Sequence, residues 1–153
     1  MDTGSCNVSA IGANAFRNMM HLSAITGNLL VNNSKLTSIG NEAFRYAATN
    51  LENSSPIENI LSGCPLVSIG DYAFDYCKLL SGQVVIENTI EHIGVSAFTR
   101  LRQNITVMFK DKKRADVVSM SNYPWGLNST GNNKIKYLND EGTDYIEEVI
   151  PKS

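Results

Sequence analysis

The sequence has few of the residues that carry most enzyme and metal chemistry. Its 153 residues include two histidines, His21 and His92, and three cysteines. There is no Cys-x-x-Cys pair, no His-x-x-x-His spacing and no glycine-rich phosphate loop. The aspartates do not follow the spacing of a calcium loop. We therefore predict no catalytic residue, no metal site and no cofactor, and we expect that the protein is not an enzyme.

Charge of one sign and long apolar runs are also scarce. The formal net charge is −2 at pH 7, so electrostatics does not favour a nucleic-acid partner. No run of about 18 apolar residues occurs, so we predict no membrane span. Residues 1–5 have neither a basic region nor an apolar run and do not resemble a signal peptide. We expect a fragment of a longer surface protein, or else a short protein that reaches the outside by another route, such as a phage particle.

The sequence does contain one phrase that occurs four times. Ile-Gly-x-x-Ala-Phe begins at Ile11, Ile39, Ile69 and Ile93, at intervals of 28, 30 and 24 residues. A unit of this length cannot bury its own apolar face, so it must stack on copies of itself. We predict a solenoid in which the four phenylalanines of the phrase form one aromatic column: Phe16, Phe44, Phe74 and Phe98.

Each position of the phrase suggests a structural role. The glycine suits a sharp turn or a positive φ angle. The alanine suits a close approach between neighbouring coils. An apolar or small residue follows each phenylalanine by three positions, at Met19, Ala47, Cys77 and Leu101. This spacing predicts a short helix over Gly-x-x-Ala-Phe-x-x-apolar, on the outside of the coil.

The rest of each unit favours extended structure. Residues 27–32, 82–87 and 105–109 are rich in β-branched and aliphatic side chains, and we predict a strand in each. Residues 53–65 contain two prolines and several turn formers, and no strand is assigned there. Ile57 and Ile60 are candidates for its inward residues.

The phrase does not recur after Phe109, and we divide the chain into a solenoid over residues 1–109 and a C-terminal capping segment and tail over residues 110–153. The basic cluster 110–114 is interpreted as a solvated loop, followed by a short helix over 115–120. Trp125 either covers the apolar end of the solenoid or is an exposed aromatic that binds sugar or protein. Residues 135–138 favour one more strand, and residues 139–153 form a linker or an ordered edge.

The cysteines do not suggest a disulfide framework. Cys6 and Cys64 each lie five residues before an Ile-Gly pair, which puts them two rungs apart in the predicted stack. Two rungs separate Cα atoms by about 9–10 Å, whereas a disulfide needs them within about 7 Å. We predict three free thiols.

In the phrase Ile-Gly-x-x-Ala-Phe and in Cys77, the chain resembles the BspA-like (Treponema-type) leucine-rich repeats of bacterial surface proteins. The resemblance covers about residues 6 to 109. It implies an α/β fold: a right-handed leucine-rich repeat solenoid of about four repeats, with a parallel β-sheet on one face and short helices on the other. It also implies a secreted or surface-exposed protein that binds host proteins or other cells.

A strand alternation with Leu29 and Val31 inward would turn a row of apolar side chains outward, at Leu30, Val85 and Met108. We predict a partner-binding surface made of Asn28, Leu30, Gln83, Val85, Glu87, Thr106 and Met108. The alternative is that these residues pack under a loop or against another part of a larger chain.

Two functions remain open. The first is a non-catalytic protein-interaction module of a bacterial cell-surface or secreted protein, which adheres to host extracellular matrix proteins or to another cell surface. The second is a structural spacer or decoration domain of a larger surface or phage particle protein. His92 does not point to catalysis, because its counterparts in the other units are Ala10, Ser38 and Ser68.

Overall fold

The computed structural model describes residues 6–22, 27–50 and 56–150, and these form a β-solenoid of about five turns. We call each turn that contains the phrase a coil and number the coils one to four along the chain. The predicted leucine-rich repeat solenoid with parallel sheet structure is confirmed.

The helices and strands are short. In chain order they are β1 (Ala10–Ile11), α1 (Gly27–Leu30), β2 (Ser38–Ile39), β3 (Ile57–Ile60), β4 (Ser68–Ile69), β5 (Leu80–Ile86), β6 (His92–Ile93), β7 (Thr106–Lys113), α2 (Arg114–Val118), a 3₁₀ helix (Ser129–Gly131), β8 (Lys134–Leu138) and β9 (Tyr145–Val149).

Two sheets run along the stack. Sheet A contains β1, β2, β4 and β6 in parallel, and its register aligns the isoleucines of the phrase from coil to coil. Sheet B has the order β3-β5-β7-β8-β9, parallel except for the antiparallel pair β8 and β9. The core lies between the two sheets and the turns, and contains the aligned isoleucines and phenylalanines.

The aromatic column is confirmed. The ring centroids of Phe16 and Phe44 are 5.0 Å apart, those of Phe44 and Phe74 are 5.3 Å apart, and those of Phe74 and Phe98 are 5.7 Å apart. The ring planes deviate from parallel by 7° at most. This spacing is close to the distance between neighbouring β-strands, because each ring belongs to one rung of the stack.

The short helices predicted after each Ile-Gly are wrong, because the chain there forms consecutive turns. In coil two, Ala43 N–H donates to Gly40 O at 3.3 Å and Ala47 N–H donates to Phe44 O at 3.1 Å. The intervening Phe44 N–H instead donates across the stack to Ala73 O at 2.8 Å. Every second amide therefore donates a hydrogen bond to the next coil. In a helix these amides would bond within their own segment, and the hydrogen bonds between coils would be lost.

This backbone requires positive φ angles at every fourth residue. They fall between 52° and 60° at Asn14, Asn18, Glu42, Tyr46, Tyr72, Tyr76, Ser96 and Arg100. Asparagine adopts this conformation more readily than the other residue types found there. The positive φ angle therefore occurs two residues after the glycine of the phrase, and not at the glycine.

The glycines of the phrase are needed for close contact between coils. A Cβ atom on Gly70 would lie 2.5 Å from Asn41 N, and a Cβ atom on Gly94 would lie 2.4 Å from Asp71 N. Real Cβ atoms do not approach backbone this closely. The predicted sharp turn after the glycine is present. The predicted positive φ angle at the glycine is absent, so it does not explain why glycine occurs there.

Other predictions differ in outcome. The strands at 82–87, 105–109 and 135–138 are confirmed as β5, β7 and β8. Residues 27–30 form the helix α1 instead of a strand, and β3 forms where no strand was assigned. The basic cluster 110–114 is not a loop, because β7 continues to Lys113 and α2 begins at Arg114.

Residues 122–125 continue the hydrogen-bond pattern of the coils after coil four. Trp125 is fully buried, so the hypothesis of an exposed aromatic is wrong. Its carbonyl accepts from Phe98 N–H at 3.0 Å, the position that Ala73 and Ala97 take in earlier coils. The Asn122 side chain donates to Ile93 O at 3.1 Å, where each earlier coil uses the N–H of a glycine. Strand β9 shows that residues 145–149 are an ordered edge.

Candidate protein-binding surface

The outer face of sheet B carries three of the seven predicted binding residues, Gln83, Thr106 and Met108. Burial alternates along β7 and β8, so that Thr106, Met108 and Lys110 are half-buried while the residues between them are buried. The strand register places Gln83 beside Thr106 and Val85 beside Met108. It also places Lys136 beside Met108. The structure thus brings Gln83, Thr106 and Met108 together on one face.

The predicted row of exposed apolar side chains is wrong. Leu30 is fully buried and Val85 is 5% exposed, and only Met108 of the three is half-exposed. Leu30 lies in α1, where strand alternation does not apply, and its carbonyl accepts from Leu61 N–H at 2.6 Å. Asn28 has a described backbone, but its side chain lies outside the part of the chain that the structure describes.

Val85 is buried because alternation fails in β5. The pairing of β3 with β5 shifts between Glu58 and Ile60, where Gly82 has a φ angle of 57°. Such a bulge inserts an extra residue into one strand and re-aims the side chains that follow it. Three consecutive residues after it, Val84, Val85 and Ile86, are buried.

Several charged side chains of this face form ion pairs with one another. Lys110 Nζ lies 3.1 Å from Glu87 Oε2, and Gly63 N–H donates to Glu87 Oε1 at 2.8 Å. The hydrogen bond with Glu87 raises the pKa of Lys110. Lys134 and Lys136 lie 3.3 and 3.9 Å from the carboxylate of Glu147 on β9. Glu87 is among the residues predicted from the sequence, whereas its partner Lys110 is not.

A hollow of about 440 Å³ opens beside the Glu87–Lys110 pair. Pro65, Asn88 and Thr89 form its walls together with these two charged residues. The hollow combines an apolar wall with hydrogen-bonding side chains, which is the usual composition of a site that orients a bound group. It extends the binding face to the loops that follow β3 and β5.

The histidines lie in polar surroundings without a catalytic arrangement. The parallel register puts His92 beside Ser68. No hydrogen bond joins the two side chains among the described residues, and no carboxylate there orients the His92 ring as a catalytic triad requires. His21 Nδ1 lies 3.2 Å from Asn50 Nδ2. Within the described ranges, no three His, Cys, Asp or Glu side chains form a group that could hold a metal ion.

No helix in the described part of the chain is long and apolar enough to cross a membrane.

Comparison with protein-family models matches residues 3–113 to the BspA type leucine-rich repeat region, in 6 copies. The match covers more than half of the chain, and the chain therefore belongs to the BspA-type leucine-rich repeat family. Members of this family are generally protein-interaction modules of surface proteins, and the leucine-rich repeat solenoid is typically non-catalytic. Neither a curated protein nor a solved structure matched the chain.

Proposed function

We propose that this chain is a non-catalytic adhesion module of a bacterial cell-surface or secreted protein, and that it binds host extracellular matrix proteins or another cell surface. The outer face of sheet B is the binding surface in this proposal. Membership of the BspA-type family supports it most directly, since the family consists generally of surface interaction modules.

The geometry of sheet B adds a second line of support. Gln83, Thr106 and Met108 are aligned across two strands and half-exposed. The Glu87–Lys110 pair and the hollow of about 440 Å³ border them. A half-exposed methionine with a rim of polar groups is suited to partners of varied shape, because its side chain is flexible and polarizable.

Surface plasmon resonance with immobilised fibronectin and fibrinogen tests the proposal. We expect saturable binding of the chain to at least one of them. The double variant Gln83→Arg/Met108→Glu should weaken that binding by about tenfold or more, because it places new charges in the centre of the face. The control Val95→Glu/Gln103→Arg makes similar changes at exposed positions outside sheet B and should leave the affinity unchanged.

Two results would contradict this function. An equal loss of affinity in both double variants would place the contact elsewhere than on sheet B. Absence of binding to matrix proteins and to intact host or bacterial cells would favour the second hypothesis, a structural spacer or decoration domain.

A further inference from the structure

A second surface, on the turns that follow the glycines of the phrase, joins cations and aromatic rings in one strip. We call it the turn-face strip. It consists of Arg17, Arg45, Tyr46, Tyr72, Tyr76, Lys78, Arg100 and Arg102, with the carboxylates of Glu42 and Asp75. The stacking of the coils builds it, because the residues that follow each phenylalanine lie beside their counterparts in the next coil.

The buried carboxylate of Asp75 fixes two guanidinium groups of the strip. Arg45 Nε donates to Asp75 Oδ2 at 2.9 Å, and Arg100 Nε donates to Asp75 Oδ1 at 2.8 Å. The Asp75 side chain is fully buried, whereas those of Arg45 and Arg100 are 22% and 48% exposed. Glu42 Oε2 also lies 2.9 Å from Arg45 Nη1 and 3.2 Å from Arg17 Nη1, so that two carboxylates are shared by three guanidinium groups.

The tyrosine rings support the same cations from the side. The guanidinium of Arg45 lies 5.1 Å from the Tyr46 ring centroid, and that of Arg100 lies 5.2 Å from it. Lys78 Nζ lies 4.4 Å from the Tyr76 centroid. Cation–π contacts of this kind hold the cations in place but do not neutralise them.

The strip carries an excess of positive charge. It contains five basic and two acidic side chains, a formal charge of +3 in a chain whose total is −2. No carboxylate in the described part of the chain pairs with Lys78 or Arg102. Positive charge is thus concentrated on one face of an otherwise acidic protein.

The fixed guanidinium groups retain unused hydrogen-bond donors. Among the described residues, no acceptor is hydrogen-bonded to Nη1 of Arg100, whose Nε and Nη2 bond to Asp75 and Tyr46. Tyr46 Oη accepts from Arg100 Nη2 at 3.0 Å, which leaves its own O–H free to donate. Guanidinium forks of this kind match the geometry of carboxylates, and their donors are ordered before any partner binds.

We propose that the turn-face strip binds an extended acidic protein segment through its carboxylates. Neighbouring coils are separated by 5.0, 5.3 and 5.7 Å at the phenylalanine column, so the strip spans roughly 16 Å from Arg17 to Arg100. About five residues of an extended chain cover that length. The strip and the sheet B surface have no residue in common, so variants of one surface test it independently of the adhesion function proposed for the other.

Fluorescence anisotropy with a labelled peptide of alternating glutamate and glycine residues tests the inference on the whole chain. We expect saturable binding at about 20 mM salt and a loss of about tenfold in affinity at about 200 mM, because screening weakens exposed ion pairs. The same peptide with lysine in place of glutamate should not bind.

The decisive variant is Arg17→Gln/Lys78→Gln, since neither side chain contacts Asp75 and the anchor of the strip remains. It should weaken peptide binding by about fivefold or more. The control Lys134→Gln/Lys136→Gln removes the same charge from sheet B and should stay within about twofold of the original chain.

Three outcomes would overturn the inference. The first is no binding of the glutamate peptide at low salt. The second is an equal loss of affinity in both double variants, which would indicate an effect of net charge alone. The third is binding of a sulfated glycan such as heparin without binding of the peptide, which would assign the strip to a different class of partner.

Discussion

At the residue scale, three of the four glycines of the phrase are required because neighbouring coils pack closely against them, and not because of their backbone conformation. Their φ angles lie outside the range between +20° and +160° that L side chains rarely adopt, so conformational freedom does not explain them. Glycine is required at Gly40, Gly70 and Gly94 because the backbone of the preceding coil occupies the space that a Cβ atom would need. Gly12 has no such neighbour within 4 Å among the described residues.

This difference predicts unequal effects of one substitution. Gly70→Ala forces a Cβ atom to within 2.5 Å of Asn41 N, and we expect it to lower the free energy of unfolding by about 1–3 kcal/mol. Gly12→Ala should change it by no more than about 0.5 kcal/mol. Urea denaturation followed by circular dichroism measures both. Equal effects of the two changes would show that the contact between coils is not what requires glycine.

The cysteines give a second prediction at this scale. Cys6 is half-buried, whereas Cys64 and Cys77 are buried, and all three are free thiols. Burial raises the pKa of Cys77 from 9.0 to about 12 and also raises the pKa of Cys64. At pH 8 we expect Ellman's reagent to modify Cys6 first and the other two only on unfolding. Rapid modification in a Cys6→Ser variant would contradict this order.

The raised pKa of Cys77 also affects stability. Because the folded state favours the neutral thiol, this contribution to stability is fully present below about pH 9 and is lost as the pH rises toward 12. The free energy of unfolding of the original chain should therefore fall more between pH 8 and 10 than that of Cys77→Ala. Parallel pH curves for the two proteins would show that the thiol does not titrate as proposed.

At the scale of elements, the turn segments explain why the helix prediction failed. The spacing Gly-x-x-Ala-Phe-x-x-apolar fits a short helix, but it equally fits consecutive turns in which pairs of buried residues, such as Ala43 and Phe44, are followed by pairs of partly exposed ones, such as Arg45 and Tyr46. The hydrogen bonds of the backbone amides decide between helix and turns. The chain forms turns because amides such as Phe44 N–H donate to the next coil, in this case to Ala73 O. A bond between residues 29 positions apart cannot be inferred from the local spacing of a single unit.

Helix α1 and strand β5 give the prediction at this scale. The double variant Leu30→Glu/Val85→Glu places two carboxylates in buried positions, and we expect it to lower the free energy of unfolding by about 4 kcal/mol or more. The control Gln83→Glu/Thr106→Glu changes half-exposed positions of sheet B and should cost about 1 kcal/mol or less. Thermal denaturation distinguishes them. A folded, stable Leu30→Glu/Val85→Glu variant would show that these side chains are exposed, as the sequence had suggested.

At the scale of the whole molecule, the stack needs a closed end. Trp125 packs against Phe109 at 5.3 Å and against Tyr123 at 5.3 Å, and it follows the aromatic column at coil four. Its indole N–H donates to Ser121 O at 2.9 Å, so the polar atom of this buried side chain is paired. We propose that residues 110–153 act as the C-terminal cap of a solenoid over residues 1–109.

The cap predicts a large loss on truncation of one side chain. Trp125→Ala should lower the free energy of unfolding by about 3–5 kcal/mol, because it leaves a cavity at the end of the core. Asn122→Ala should cost about 1–3 kcal/mol, because it leaves Ile93 O without its donor. Chemical denaturation monitored by circular dichroism checks both. An effect of Trp125→Ala below about 1 kcal/mol would contradict a capping role.

The sequence by itself determined the stack. Four copies of Ile-Gly-x-x-Ala-Phe, repeated at intervals of 24 to 30 residues, predict a stack in which equivalent residues lie one above another. The phenylalanine column follows from this repetition. The sequence also identified β5, β7 and β8, because their β-branched residues persist over several positions.

Only the tertiary structure decided which side chains face the solvent on sheet B and what the turns look like. One bulge near Gly82 changes the alternation that follows it, and one helix at residues 27–30 removes Leu30 from the sheet. The turn-face strip likewise depends on contacts such as Arg100 with Asp75, 25 residues apart. The periodicity of the sequence indicates where a residue lies within its own coil. Burial and ion pairing also depend on the neighbouring coils, and the sequence of a single unit does not specify the register between them.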